Sequence, residues 1–169
     1  MPLLVVLLFG GCAEEPSPPL EPAVEVGSGE LAFASLVDGG EILVVHGPQG
    51  GYHLVGSVRA RGFDPGDPED LAAPNNPVVA FRTWWNGEDL TLTGAYRQGL
   101  DPRVDGADTA SDAAGWTHEM VGRLCILDIP DDDVLAGQSV TFEVEVTDAG
   151  GSVYRDARTL TVEKDPRNL

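Results

Sequence analysis

Residues 139–147, Ser-Val-Thr-Phe-Glu-Val-Glu-Val-Thr, put Val140, Phe142, Val144 and Val146 on one side of the chain and Thr141, Glu143, Glu145 and Thr147 on the other. Side chains that change sides at every residue belong to a β-strand. One apolar face opposed to one polar face marks an antiparallel strand half buried against a core. Asp148-Ala149-Gly150-Gly151 follows, with glycines that accept the positive φ of a tight hairpin. A partner strand is then predicted over about 152–163, with Leu160 and Val162 inward and Arg158, on their side of the alternation, near an edge. The same period recurs upstream. Strands are predicted at 41–45, at 52–62 (where Val58 and Ala60 oppose Arg59 and Arg61), at 78–85, ended by Asn86-Gly87, and at 89–97. Residues 116–129 are long enough for one bent strand or two short ones, and 23–26 or 31–36 supplies one more at the front. A helical period of any length is missing.

Seven to nine short strands in one domain spanning 23–169 predict an all-β fold, a two-sheet antiparallel sandwich, with a closed barrel as the competitor. The segments Gly137-Gln138-Ser139-Val140-Thr141, Val146-Thr147-Asp148-Ala149-Gly150-Gly151 and Thr159-Leu160-Thr161-Val162 resemble the closing strands of bacterial immunoglobulin-like domains. The likeness covers about 30 residues and implies an immunoglobulin-like sandwich; it carries no catalytic residue with it. Two loops, 63–77 and 98–115, rich in Asp, Gly, Pro and Ala, exceed the usual connection length, which is common where loops are functional.

The amino end follows other rules. Residues 2–9 form an apolar run of eight ahead of Gly10-Gly11-Cys12. A spanning helix needs about 20 apolar residues, so the run reads as the core of a secretory signal. Phe9-Gly10-Gly11-Cys12 resembles the lipobox of bacterial lipoproteins, in which the cysteine is diacylated and becomes the first mature residue. That resemblance implies a signal peptide over 1–11 and lipidation at Cys12. Phe9 stands where the pattern prefers Leu, and no charged residue precedes the apolar run; either departure would fit a translation start upstream of Met1. Residues 12–22 hold four prolines and three glutamates and are expected to act as an extended tether between membrane and domain. The expected address is the cell envelope, and Ala13 after the cysteine points to the outer membrane. A chain with 28 Asp and Glu against 10 Lys and Arg, net charge -18, repels phosphate backbones, so nucleic-acid binding is excluded.

Three groups of residues carry possible chemistry. His46 and His53 flank the 47–51 turn, where two imidazoles can lie close across a hairpin; with His118 or a carboxylate as third ligand they would suit Cu or Zn. The competing account is rings packed or hydrogen-bonded at strand ends. Asp101, Asp105, Asp108 and Asp112 recur within one loop, Asp64, Asp67 and Asp70 within another, and Asp131-Asp132-Asp133 form a run. These are oxygen donors of the kind calcium takes, or solvated acid that keeps the chain soluble. Trp84 and Trp85, adjacent on a strand, must face opposite ways. One is expected in the core and the other at the surface, with Trp116 or Tyr96 nearby, as a contact point for protein or carbohydrate. Cys125, in Leu124-Cys125-Ile126-Leu127, reads as a buried small hydrophobe.

No Gly-x-Ser-x-Gly elbow, His-Glu-x-x-His pair or phosphate loop occurs, so no catalytic residue is assigned and no cofactor beyond Ca, Cu or Zn is considered. His118-Glu119 would suit a hydrolase but has no nucleophile beside it in sequence. The expectation is a lipid-anchored envelope protein with a non-enzymatic binding or structural module that meets a protein or carbohydrate partner. The alternative is a metal-handling lipoprotein using His46, His53 and His118.

Overall fold

The computed structural model describes residues 20–48, 50–103 and 114–168. Residues 1–19, with Cys12 and most of the tether, and Asp105, Asp108 and Asp112 lie outside them. The described chain is all-β. Its strands are β1 (Ala23–Ser28), β2 (Ala34–Ser35), β3 (Glu41–His46), β4 (Tyr52–Arg61), β5 (Val78–Trp85), β6 (Glu88–Asp89), β7 (Thr91–Thr93), β8 (Ala95–Arg97), β9 (Asp101–Pro102), β10 (His118–Leu127), β11 (Ser139–Thr147) and β12 (Val153–Lys164). One 3-10 turn, Asp132–Val134, is the sole helical element among the described residues. Twelve strands replace the seven to nine expected because β2, β6, β7, β8 and β9 have only two or three residues each. A period-two pattern is invisible over so short a run.

The hairpin of β11 and β12 keeps one register from Ser139↔Thr161 to Thr147↔Val153. Its turn is closed by Asp148, whose N–H donates to Ser152 O (3.0 Å) and whose carboxylate accepts from the Ser152 N–H (2.8 Å). Val140, Phe142, Val144, Val146, Leu160 and Val162 are all buried on one face. β11 also pairs antiparallel with β5, from Thr141↔Trp84 to Thr147↔Val78. On the far side of β12, Glu41–Val44 of β3 run parallel to Thr161–Lys164. The last two residues of β3 then leave β12 and pair antiparallel with β4, Val45↔His53 and His46↔Tyr52. β4 lies between β1, which pairs with its second half, and β10, which pairs along its length. β10 is a single strand bent by a bulge between Met120 and Arg123.

The opposite edge is strapped as well. β6 and β8 pair with the two ends of β5, while β7, between them, pairs with Ile126 and Leu127 of β10. The result is a mixed, open twelve-stranded sheet that folds back on itself. The apolar face of β1, β4 and β10 thereby meets that of β5, β11 and β12 around Val26, Leu54, Val58, Phe81, Met120, Phe142 and Val144. Burying each such side chain contributes roughly 1.5–3 kcal/mol. Gly56 permits a close approach between the two faces: a Cβ there would lie 2.6 Å from Phe81 Cδ1, and the Phe81 ring stacks on Phe142 at 5.9 Å.

β4 is buried on both faces. Arg59 does point away from the core, as the alternation requires, yet it is only 5% exposed. Its guanidinium donates to Glu25 (2.8 and 3.0 Å) and lies over the rings of Phe33 (4.5 Å) and Trp116 (5.4 Å). An arginine on the polar side of a strand is here covered by the segment between β1 and β2. The charge is tolerable in that place because a carboxylate pairs with it.

Candidate functional site

A cavity of about 490 Å³ opens where β3 ends, β4 begins and the chain leaves β12. Its lining includes His46, Tyr52, Asp131, Asp132, Asp133, Lys164 and Asn168. The acids converge for a local reason. Asp131 caps the 3-10 turn, its carboxylate accepting from the Asp133 N–H at 2.8 Å, as an N-cap residue should. The cap folds the acidic run tightly enough to bring one oxygen from each of Asp131, Asp132 and Asp133 within 4.8 Å of one another.

Lys164, the only lysine of the chain, ends β12 beside them. It donates to Asp132 at 2.9 Å and to Asp133. These contacts hold the ammonium well above the usual lysine range and, with Asn168 assisting, hold the Asp132 carboxyl below its own. Asn168 ties the wall together: its Oδ1 accepts from the His46 N–H (2.7 Å), and its Nδ2 donates to Val44 O (2.9 Å) and Asp132 Oδ2 (3.0 Å). Next to it Asp165, 2% exposed, is clamped by Arg167, which also reaches Glu30 (2.7 Å) and which holds the Asp165 carboxyl low. Chemically this is a set of hard oxygen donors with an internal cation already among them.

The histidines do not converge. In the β3–β4 register His46 stands opposite Tyr52, and His53 opposite Val45. Directly opposed residues share a face and adjacent pairs alternate, so the two imidazoles project to opposite sides of the hairpin. His46 faces the acidic cavity, its ring 5.0 Å from Tyr52. His53 lines a separate cavity of about 260 Å³ with Gly47, Pro48, Leu124 and Ile126, where burial pushes its pKa down. His118 pairs with Ala60, seven residues further along β4, roughly 23 Å away at strand rise. The structure does not bring the three histidines together: a one-residue offset in register separates the first two, and strand length removes the third. The same alternation divides His118 from Glu119, which stand opposite Ala60 and Arg59 on different faces. That leaves the hydrolase reading without its proton-sharing pair.

Of the other expected residues, Asp101 lies exposed in β9 opposite Glu119, while its three loop companions are outside the described residues. Asp64 accepts from Asn75 (3.1 Å) and from the Gly66 N–H (2.9 Å), and Asp70 accepts from the Ala72 N–H (2.9 Å), so these acids organise their own loop. Trp85 packs against the core, whereas Trp84 stands on the other face beside Asp89 and Thr141. Trp116 covers Arg59 and Arg61 over β4 and does not share a platform with Trp84. Tyr96 is engaged elsewhere, donating to Leu124 O at 2.6 Å. Cys125 is fully buried and free, and burial pushes its thiol up.

Sequence reasoning missed Asn168 and Lys164. The signal available was the proximity of a lone lysine to a chain end rich in turn formers, Asp165-Pro166-Arg167-Asn168, which says nothing about what those residues fold against. No helix among the described residues is long and apolar enough to cross a membrane. No family model matches the chain, and no curated protein matches it.

Proposed function

We propose that this chain is a lipid-anchored cell-envelope protein whose β domain is an immunoglobulin-like two-sheet sandwich acting as a non-enzymatic binding or structural module. The observation that carries the reading is the strand order. β1–β4–β10–β9 and β5–β11–β12 follow the A-B-E-D and C-F-G ladders of that architecture, and β3 passes from one ladder to the other. The lipid anchor rests on Cys12 and the run before it. Geometry adds a direction: Leu20, the first described residue, lies against Gly62 and Gly115, at the end of β4 remote from the acidic cavity. The acidic cavity lies at the other end of β4, roughly 30 Å from there at strand rise, and would be the membrane-distal end if the tether leaves on the bilayer side. That membrane-distal end is the surface a protein or carbohydrate partner in the envelope would meet.

Labelled palmitate supplied to cells expressing the chain tests the anchor: incorporation that disappears in Cys12→Ser supports it, and a soluble, unlabelled chain refutes it. Capture from envelope extracts by the domain tests the module, with partners lost on charge reversal at Asp131 and Asp133.

A second reading concerns metal. The converging carboxylates favour a hard, oxygen-seeking divalent cation over the Cu or Zn of the histidine reading. Calcium titration followed by thermal melting tests it. Stabilisation abolished by Asp131→Asn and enhanced by Lys164→Ala, which removes the competing ammonium, is the expected result; a melt indifferent to millimolar calcium rejects it.

A further inference from the structure

The chain has four asparagines, Asn75, Asn76, Asn86 and Asn168. Three are held. Asn75 donates to Asp64, Asn76 is buried and precedes Pro77, which has no N–H, and Asn168 makes three hydrogen bonds across the cavity wall. Asn86 differs in every respect. It is exposed at the tip joining β5 to β6, and its side chain has no hydrogen bond among the described residues. Its own φ is 49° and that of Gly87 is 85°, the paired positive values of a two-residue type I′ turn. Asparagine tolerates positive φ better than other residues with a Cβ, so Asn-Gly suits this turn. Gly87 has nothing but its own chain neighbours within 4 Å of where a Cβ would sit, and glycine has no side chain to shield its amide nitrogen. The ladder beyond is two pairs long, Trp84↔Asp89 and Trp85↔Glu88, and both residues of the tip are exposed.

We infer that Asn86-Gly87 is a site of water-dependent covalent modification, at which the asparagine cyclises and reopens as aspartate or isoaspartate. The Gly87 nitrogen attacks Asn86 Cγ. A C–N bond forms, the bond to the side-chain amide nitrogen breaks, and ammonia leaves, taking up the proton lost by the Gly87 nitrogen. Water then adds to either carbonyl of the five-membered imide and opens it, with no change of oxidation state. The isoaspartyl product carries an extra methylene in its backbone, so the two-residue count that a type I′ turn demands is lost. The new carboxylate also stands beside Glu88 and Asp89, close to the Arg82–Asp89 ion pair. β6 would lose its register, and Trp85 its neighbour across the ladder.

The test is prolonged incubation of the full chain in mildly alkaline buffer, followed by peptide mapping and by labelling with an isoaspartyl methyltransferase. The expected result is a gain of one mass unit confined to the peptide containing Asn86, with methyl acceptance there and a change in tryptophan emission. Asn86→Gly, which suits positive φ and has no amide to lose, should keep the melting temperature and abolish both signals. Conversion at Asn75 or Asn168 ahead of Asn86 would overturn the inference. So would an intact Asn86 in the folded chain under conditions that convert a urea-unfolded control.

Discussion

Replacing Gly56 by alanine adds a single methyl to a tightly packed point of the core, where the ring of Phe81 lies against β4. Its nearest neighbours would be Phe81 Cδ1 at 2.6 Å and Cγ and Cε1 at 2.8 Å, about 1 Å inside ordinary carbon–carbon contact. The ring has no direction of escape. It is 1% exposed, stacked on Phe142, and its backbone is fixed by the Phe81 N–H bond to Gly94 O (2.9 Å). β4 is equally fixed, with β10 paired on one side. Overpacking of this kind costs about 1–3 kcal/mol. Alanine returns part of that, about 0.4–1 kcal/mol, by restricting the unfolded chain, because Gly56 does not occupy positive φ. The net expectation is a destabilisation of about 1–2 kcal/mol, or a fall in Tm of roughly 2–8 °C for a domain of this size. Urea unfolding followed by tryptophan fluorescence should show a lower midpoint at an unchanged slope. Phe81→Leu should cost less in the Gly56→Ala background than alone, since the methyl occupies space the ring vacates. A Gly56→Ala chain as stable as the parent, or additive double-variant energies, would refute this account of how the two faces meet.

Three further outcomes follow from the titrating groups. Asp132 has its folded pKa depressed below the ordinary 3.8, chiefly by Lys164, so its stabilisation is present above that pH and lost as pH falls through the folded value; Asp132→Asn should flatten the acid limb of a stability–pH curve. His53 has its folded pKa lowered below 6.5 by burial, so the unfolded chain takes the proton first and stability declines as pH falls below 6.5. In His53→Gln that decline should shrink, measured by urea midpoints across the range. Cys125 is buried with its thiol pushed up. In a Cys12→Ser chain a disulfide reagent should react with it only at the rate of unfolding, and rapid labelling of the folded protein would contradict the buried assignment.

Much of the fold was legible because β-structure writes its period into adjacent residues. The run Val140, Phe142, Val144, Val146 fixes which side is inward without reference to any partner, and Gly150-Gly151 marks the return. The bent strand at 118–127 and the opposed faces of Trp84 and Trp85 follow from the same rule. Where the site was concerned, the sequence supplied residue types but not companions. The acidic run at 131–133 was visible, whereas its pairing with Lys164 and Asn168 joins positions more than thirty residues apart.

Strand identity, turn position and the inward set were thus determined by the sequence itself, since each depends on neighbours one or two residues away. Register, strand exchange and burial of charge were decided only by the tertiary structure. A one-residue offset, undetectable from composition, sends His46 and His53 to opposite faces. The passage of β3 from β12 to β4 depends on where two ladders end, and the cover over Arg59 on where the segment after β1 returns. Such pairings are selected by the whole packed core at once, and no local pattern encodes them.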